Sequence, residues 1–230
     1  MNIRFITNMN AMRIPPSPIQ IILFVLVLIL IFTLVQIGLL HIAAEKLGIH
    51  FGTALFALFV CLLGSVINLP LFTLPLPPDI TPPPYTGWLL GSMQARPDRV
   101  IVAVNLGGAI MPILFSVYLM ERIELGLLPV LLATAVVSAI SYALSRPIPG
   151  LGIAMPVFIP PMAAAICAFI FAPAHSAALA YVSGTFGVII GADLLRLKEA
   201  QRIGARVVSI GGAGTFDGIF LTGIVAVLLA

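Results

Sequence analysis

IQIILFVLVLILIFTLVQIGLL, residues Ile19–Leu40, contains no charged side chain. A bilayer core about 30 Å thick needs roughly 20 mostly apolar residues rising 1.5 Å each, and this stretch meets that length. Runs of similar character recur along the chain. They place spans at residues 18–40, 51–69, 100–120, 125–144, 151–171, 176–195 and 211–230, about seven in all, within a single integral membrane domain over residues 1–230. Composition agrees: 61% of residues are hydrophobic and 8% charged, with a mean hydropathy of +1.20. A soluble core of this size would have to expose large apolar patches to use such a chain. In lipid, every backbone polar group needs a partner from helix or closed barrel, and these runs lack the alternation of a barrel strand. The expected fold is therefore all-α, a polytopic transmembrane helical bundle in the cell membrane. The first span exceeds the apolar core of a secretory signal, and HIAAEKLG after it makes no convincing cleavage site, so it is expected to stay as an anchor.

Basic residues orient the bundle. With the amino terminus cytoplasmic, Arg4, Arg13, Arg96, Arg99, Arg146, Arg196, Lys198, Arg202 and Arg206 fall inside, and Lys46 and Arg122 fall outside. The net charge of +3 is thus a membrane-topology signal, and the expected surroundings are a lipid bilayer with no nucleic acid. Cys61 and Cys167 sit mid-span, where a thiol acts as a small hydrophobe, and suggest neither disulfide nor zinc. His41, His50 and His175 would gather near the outer face, with Glu45 one turn after His41, but no HExxH-type spacing accompanies them. No metal and no cofactor is expected.

Residues 70–99 form the one substantial loop, placed on the cytoplasmic side. Its prolines predict a stiff, polyproline-like course over Leu74–Tyr85. Tyr85 and Trp88, interface-anchoring types, point to a connector lying along the bilayer, with a lid or docking segment as the alternative.

Two aspartates carry the functional reading. Asp193 lies in GVIIGADLL and Asp217 in GGAGTFDGIFLTG, and an ionisable group within a span is costly unless it faces a partner or a cavity. Asp193 sits roughly 6 Å from the cytoplasmic end of its span, and Asp217 matches that depth if its own span begins at Gly211. RLKEAQRIGARVVS, residues 196–209, would then lie along the surface as an amphipathic helix with Leu197, Ala200, Ile203 and Val207 on one side. Gly187 and Gly191 on one helix, and Gly214 and Gly218 on the next, have the small-xxx-small spacing that lets two backbones approach, bringing the acids face to face. Asn105 in VNLGGAIMP and Asn68 in INLPLF fall at the same level, making a polar cluster expected to contact substrate together with Gly212, Gly214 and Thr215. Two carboxylates close together in a low-dielectric site share a proton, so one activates a water while the other polarises a carbonyl.

GADLL followed by GAGTFD resembles the paired motifs of the GxGD intramembrane aspartyl proteases, the presenilin, signal-peptide-peptidase and type IV prepilin peptidase group. That likeness covers roughly the last fifty residues. It implies that Asp193 and Asp217 are the catalytic pair near the cytoplasmic face, acting on a transmembrane peptide. The second motif here carries Thr215 and Phe216 between Gly214 and Asp217, the tyrosine of the presenilin pair is missing, and there is no PAL sequence. Over its whole length the chain is more similar to an uncharacterised family of bacterial and archaeal multi-pass membrane proteins, through GGAGTFDGIFLTG and NLGGAIMP; that resemblance implies no function.

Other classes use the same residues differently. In a proton- or cation-coupled transporter, SIGGAGTFDG would be a helix break and Asp193 and Asp217 the coupling site. In a lipid-phosphate site the amides of GGAG would cradle the phosphate, with Arg196, Arg202 or Arg206 as counter-charges. In a non-catalytic assembly subunit the acids would pair with basic residues of a partner.

Overall fold

The computed structural model describes residues 18–75, 99–148, 152–200, 207–212 and 215–230. The chain is mostly helical and divides into two units at Leu39/Leu40. The first unit holds most of helix α1 (Pro18–Lys46). Phe24, Leu26, Leu28, Leu30 and Phe32 are all exposed there, as they are on every face of a helix whose solvent is lipid. Three helices among the described residues are long and apolar enough to cross a membrane: Phe24–Lys46, Leu127–Leu144 and Pro173–Glu199. By length and composition this is a membrane protein.

In the second unit the bundle is built from α2 (Phe51–Gly64), α3 (Met111–Arg122), α4 (Leu127–Leu144), α5 (Ile159–Phe171), α6 (Ser176–Val188) and α8 (Thr215–Leu229); α7 (Leu197–Ala200) is a single turn. Helix α6 is the centre, with α4, α5 and α8 packed around it. Ala178, Leu179, Ala180, Val182, Gly184, Thr185, Gly187 and Val188 are all buried. Small residues make this possible. A Cβ at Gly184 would stand 3.0 Å from Thr222 Cγ2 on α8, and one at Gly187 would stand 2.5 Å from Val137 Cγ1 on α4. Without a hydrophobic effect between helices in lipid, such close approach supplies the packing energy.

The all-α expectation needs one correction. Strands β1 (Asn68–Pro75), β2 (Arg99–Asn105) and β5 (Val207–Ile210) form a three-stranded sheet in the order β1-β2-β5. Asn68 pairs with Asn105 and Pro75 with Arg99 antiparallel, whereas Ile101 to Val104 run parallel to Val207 to Ile210. A short hairpin of β3 (Arg146–Ile148) and β4 (Gly152–Ala154) links α4 to α5. The stretch 51–69 is therefore helical only to Gly64, and 100–120 is a strand, a π-helical turn at Leu106–Ile110 and only then α3. Physically, Val100, Ile101, Val102 and Val104 are β-branched residues that suit a pleated surface as well as a lipid-facing helix. Pro70 fits because β1 is an edge strand, and the register shifts between Pro70 and Phe72.

The surface helix expected over 196–209 is also corrected. Among its described residues Leu197–Ala200 is helical, but Val207 begins a strand instead of continuing an apolar helix face; residues 201–206 lie outside the described residues. In the loop 70–99, residues up to Pro75 and Arg99 itself belong to the sheet, and the polyproline expectation for 76–85, like Tyr85 and Trp88, lies outside the described residues.

Candidate polar site at the sheet end of the bundle

Three interruptions of the apolar chain meet at one level. The first is the passage from β2 into α3. Asn105 ends the strand in extended geometry, and its Oδ1 accepts a hydrogen bond from Gly108 N at 2.7 Å, capping the π-helical turn. Its Nδ2 donates to Ser65 O at 2.7 Å, where α2 ends, and to Asn68 Oδ1 at 3.0 Å, where β1 begins. Ser209 Oγ on β5 also donates to Asn68 Oδ1. Asn105 is 2% exposed, so each of these bonds spares a buried polar group from lying unpaired.

The second interruption is in α6, which widens after Val188 into a π-helical turn over Ile189–Leu194. Gly191 faces α4, where its Cβ would stand 2.3 Å from Ser138 O. Two residues on, roughly half a turn around the axis, Asp193 points the other way. It is 4% exposed, and its Oδ2 accepts from Gly211 N at 2.7 Å.

Gly211 is the third interruption, between β5 and α8. Its φ of +69° is in the left-handed region, and a Cβ there would stand 2.6 Å from Gly108 C and 2.7 Å from Ala109 N. Only glycine joins this turn to the π-helical turn without collision. A continuous path therefore runs from Asn68 through Asn105, Gly108 and Gly211 to Asp193.

Of the expected site residues, the structure brings Asn68 and Asn105 into direct contact and places Asp193 on the same layer through Gly211. Gly212 follows in the turn, its N donating to Ser209 O at 3.0 Å. Asp217 and Thr215 fall in the first turn of α8. Their side chains, and all of Gly214, lie outside the described residues, as does the expected face-to-face approach of the two acids. The glycine spacing is corrected: Gly187 and Gly191 pack on α4, and it is Gly184 and Gly223 that bring α6 and α8 together, through Thr222 and Tyr181. Gly214 and Gly218 lie outside the residues whose surroundings are described. Sequence reading missed Ser65, and it marked SIGGAGTFDG only as a helix break without giving Ser209 or Gly211 a place in the site. A Ser-Ile-Gly-Gly run after a β-branched pair was the available signal for the last two.

Asn105 carries enough bonds to be tested as a structural clasp. Asn105→Ala removes three hydrogen bonds at a buried position and is expected to lower unfolding stability by about 2–4 kcal/mol, read by denaturant titration of purified protein in detergent.

At the opposite end, His41 Nε2 lies 3.3 Å from Glu45 Oε1, and His50 caps α2 by accepting from Gly52 N. His175 sits in a short 3₁₀ turn before α6. Among the described residues, no group of three or more His, Cys, Asp or Glu side chains is arranged to hold a metal.

A model of the family described as a protein of unknown function (DUF1614) matches residues 62–229. No curated protein and no solved structure matches the chain.

Proposed function

We propose that this chain, which belongs to the DUF1614 family of unknown function, is an intramembrane aspartyl hydrolase of peptide bonds, with Asp193 and Asp217 as its catalytic pair. One observation carries the reading: the buried Asp193 carboxylate is bound to the backbone of Gly211, at the root of the segment that delivers Asp217. That bond orients the carboxylate toward the turn that precedes α8. The ionised member of the pair takes a proton from water as the water oxygen attacks the peptide carbonyl. The protonated member donates to the carbonyl oxygen, and a proton then passes to the departing nitrogen. The likeness of GADLL and GAGTFD to the GxGD motifs points the same way.

The proposal includes about seven crossings in the cell membrane, with a cytoplasmic amino terminus and an apolar transmembrane peptide as substrate. Lys46 and Arg122 support the orientation, because both lie at one end of the second unit, bonded to Leu228 O and Gly48 O respectively. Arg99 and Arg146 begin strands at the other end, and Arg196 binds Ser145 there, after α4 has crossed.

Asp193→Asn keeps an oxygen that can accept from Gly211, so the fold should persist. Either Asp193→Asn or Asp217→Asn is expected to lower cleavage of a membrane-peptide pool by about 100-fold or more in purified protein. Retained cleavage in both variants would end the hydrolase reading. A second reading, proton- or cation-coupled transport, is favoured by the meeting of three chain interruptions at one acid. It predicts no cleavage by the unaltered protein and ion-dependent uptake into liposomes.

A further inference from the structure

A cavity of about 320 Å³ opens between the end of α1, α2, α3, α6 and α8. Its walls are almost entirely apolar: Ala43, Ala54, Ala57, Phe115, Tyr181 and Val227 are typical. Thr53 and Phe56 form an exposed rim on α2. Tyr181 closes the floor, its ring edge-on to Phe115 at 5.1 Å between centroids.

The two ends of this slot differ. At one end Cys61 and Met111 line it, beside the π-helical turn, where Gly107 lies against Cys61 O. At the other end Leu47, Ile49 and Tyr118 line it. There Arg122 Nη2 donates to Gly48 O at 2.7 Å and Nη1 to Tyr118 Oη at 2.7 Å. Lys46, next to Leu47, donates through Nζ to Leu228 O at 2.9 Å. Both cations are exposed, and both have more N–H groups than these bonds use. Glu45, Glu121 and Glu124 are on the same end of the bundle; Glu45 is engaged by His41.

We propose that this slot binds one acyl chain of a membrane phospholipid, with the phosphate held by Arg122 and Lys46. Size decides between the apolar occupants a bilayer offers. A helix fills about 120 Å³ per residue, given a diameter of about 10 Å and a rise of 1.5 Å, so the slot holds fewer than three residues of a transmembrane helix. A methylene takes about as much room as a water molecule, roughly 30 Å³, so the same space takes about ten carbons of a single chain. Charge decides the direction. Neither end has a cation among the lining residues, and the difference lies just outside them: at the Tyr118 end Arg122 binds Tyr118 and Lys46 adjoins Leu47, so a phosphate there meets two exposed cations. The inference is independent of the hydrolase reading.

The test is photo-crosslinking of purified protein with phosphatidylglycerol carrying a diazirine either near the headgroup or near the chain end. Near-headgroup label is expected on Leu47 and Tyr118, and chain-end label on Cys61 and Met111. Ala57→Phe, which fills the slot, should lower slot labelling at least 5-fold at unchanged melting temperature. Arg122→Gln with Lys46→Gln should abolish any advantage of phosphatidylglycerol over phosphatidylcholine. Labelling as dense on Phe24–Leu39 as in the slot, or the same residues labelled from both diazirine positions, would overturn the proposal. So would an undiminished phosphatidylglycerol advantage in the doubly substituted protein. The two label positions are compared in the unaltered chain, so that result does not depend on whether Ala57→Phe folds.

Discussion

Gly107→Ala is expected to lower unfolding stability by about 3 kcal/mol or more, through overpacking against backbone that cannot rotate away. The added Cβ would stand 1.8 Å from Cys61 O and 2.4 Å from Ser65 N. Those two atoms are the acceptor and donor of the 2.9 Å bond that ends α2. The methyl would wedge into that bond, and the end of α2 would have to withdraw by more than about 1 Å to restore ordinary contact distance. Withdrawal also pulls Ser65 O from Asn105 Nδ2, so the clasp that caps the π-helical turn loosens with it. Gly38→Ala is the matched control, since a Cβ there meets nothing within 4 Å, and alanine is the better helix former by about 1 kcal/mol. Denaturant titration of both variants in one detergent checks this. Equal midpoints would mean that α2 and the π-helical turn do not approach as described.

Gly211→Ala is expected to be nearly as costly, about 3 kcal/mol, from two separable causes. The left-handed φ of +69° penalises any Cβ, and that Cβ would also overlap Gly108 C and Ala109 N at 2.6 and 2.7 Å. Asparagine tolerates left-handed backbone far better than alanine but carries the same Cβ. Gly211→Asn should therefore recover less than half of the loss if overlap dominates, and most of it if backbone strain does. Either substitution displaces the N–H that Asp193 accepts at 2.7 Å. In the hydrolase reading, both variants then lose peptide cleavage even at temperatures where their helical circular dichroism is intact. A variant that keeps full cleavage would show that the Gly211 bond to Asp193 does not orient a catalytic group.

Legibility varied with how local the determining physics is. Helices α1, α4 and α6 follow from unbroken apolar runs, because in lipid a span satisfies its backbone within itself. Asn68, Asn105 and Asp193 stood out as polar residues at comparable depth in apolar runs, and their common layer follows from that. The sheet did not stand out. Val100–Val104 and Val207–Ile210 are mostly apolar and β-branched, and nothing within either segment distinguishes a strand paired at the bundle's end from the helix expected there. The partners of Gly187 and Gly191 were likewise illegible, since a small-xxx-small spacing says that a helix comes close without saying which one.

Hydropathy and charge by themselves determined a helical membrane protein with a polar level near one end, because transfer into lipid is a property of each segment alone. Pairing β2 with β5, turning Asp193 away from α4 toward Gly211, and opening an apolar slot beside Tyr181 were decided only by the tertiary structure. Each depends on which backbone groups remain unsatisfied, and which surfaces remain uncovered, after distant segments have come together.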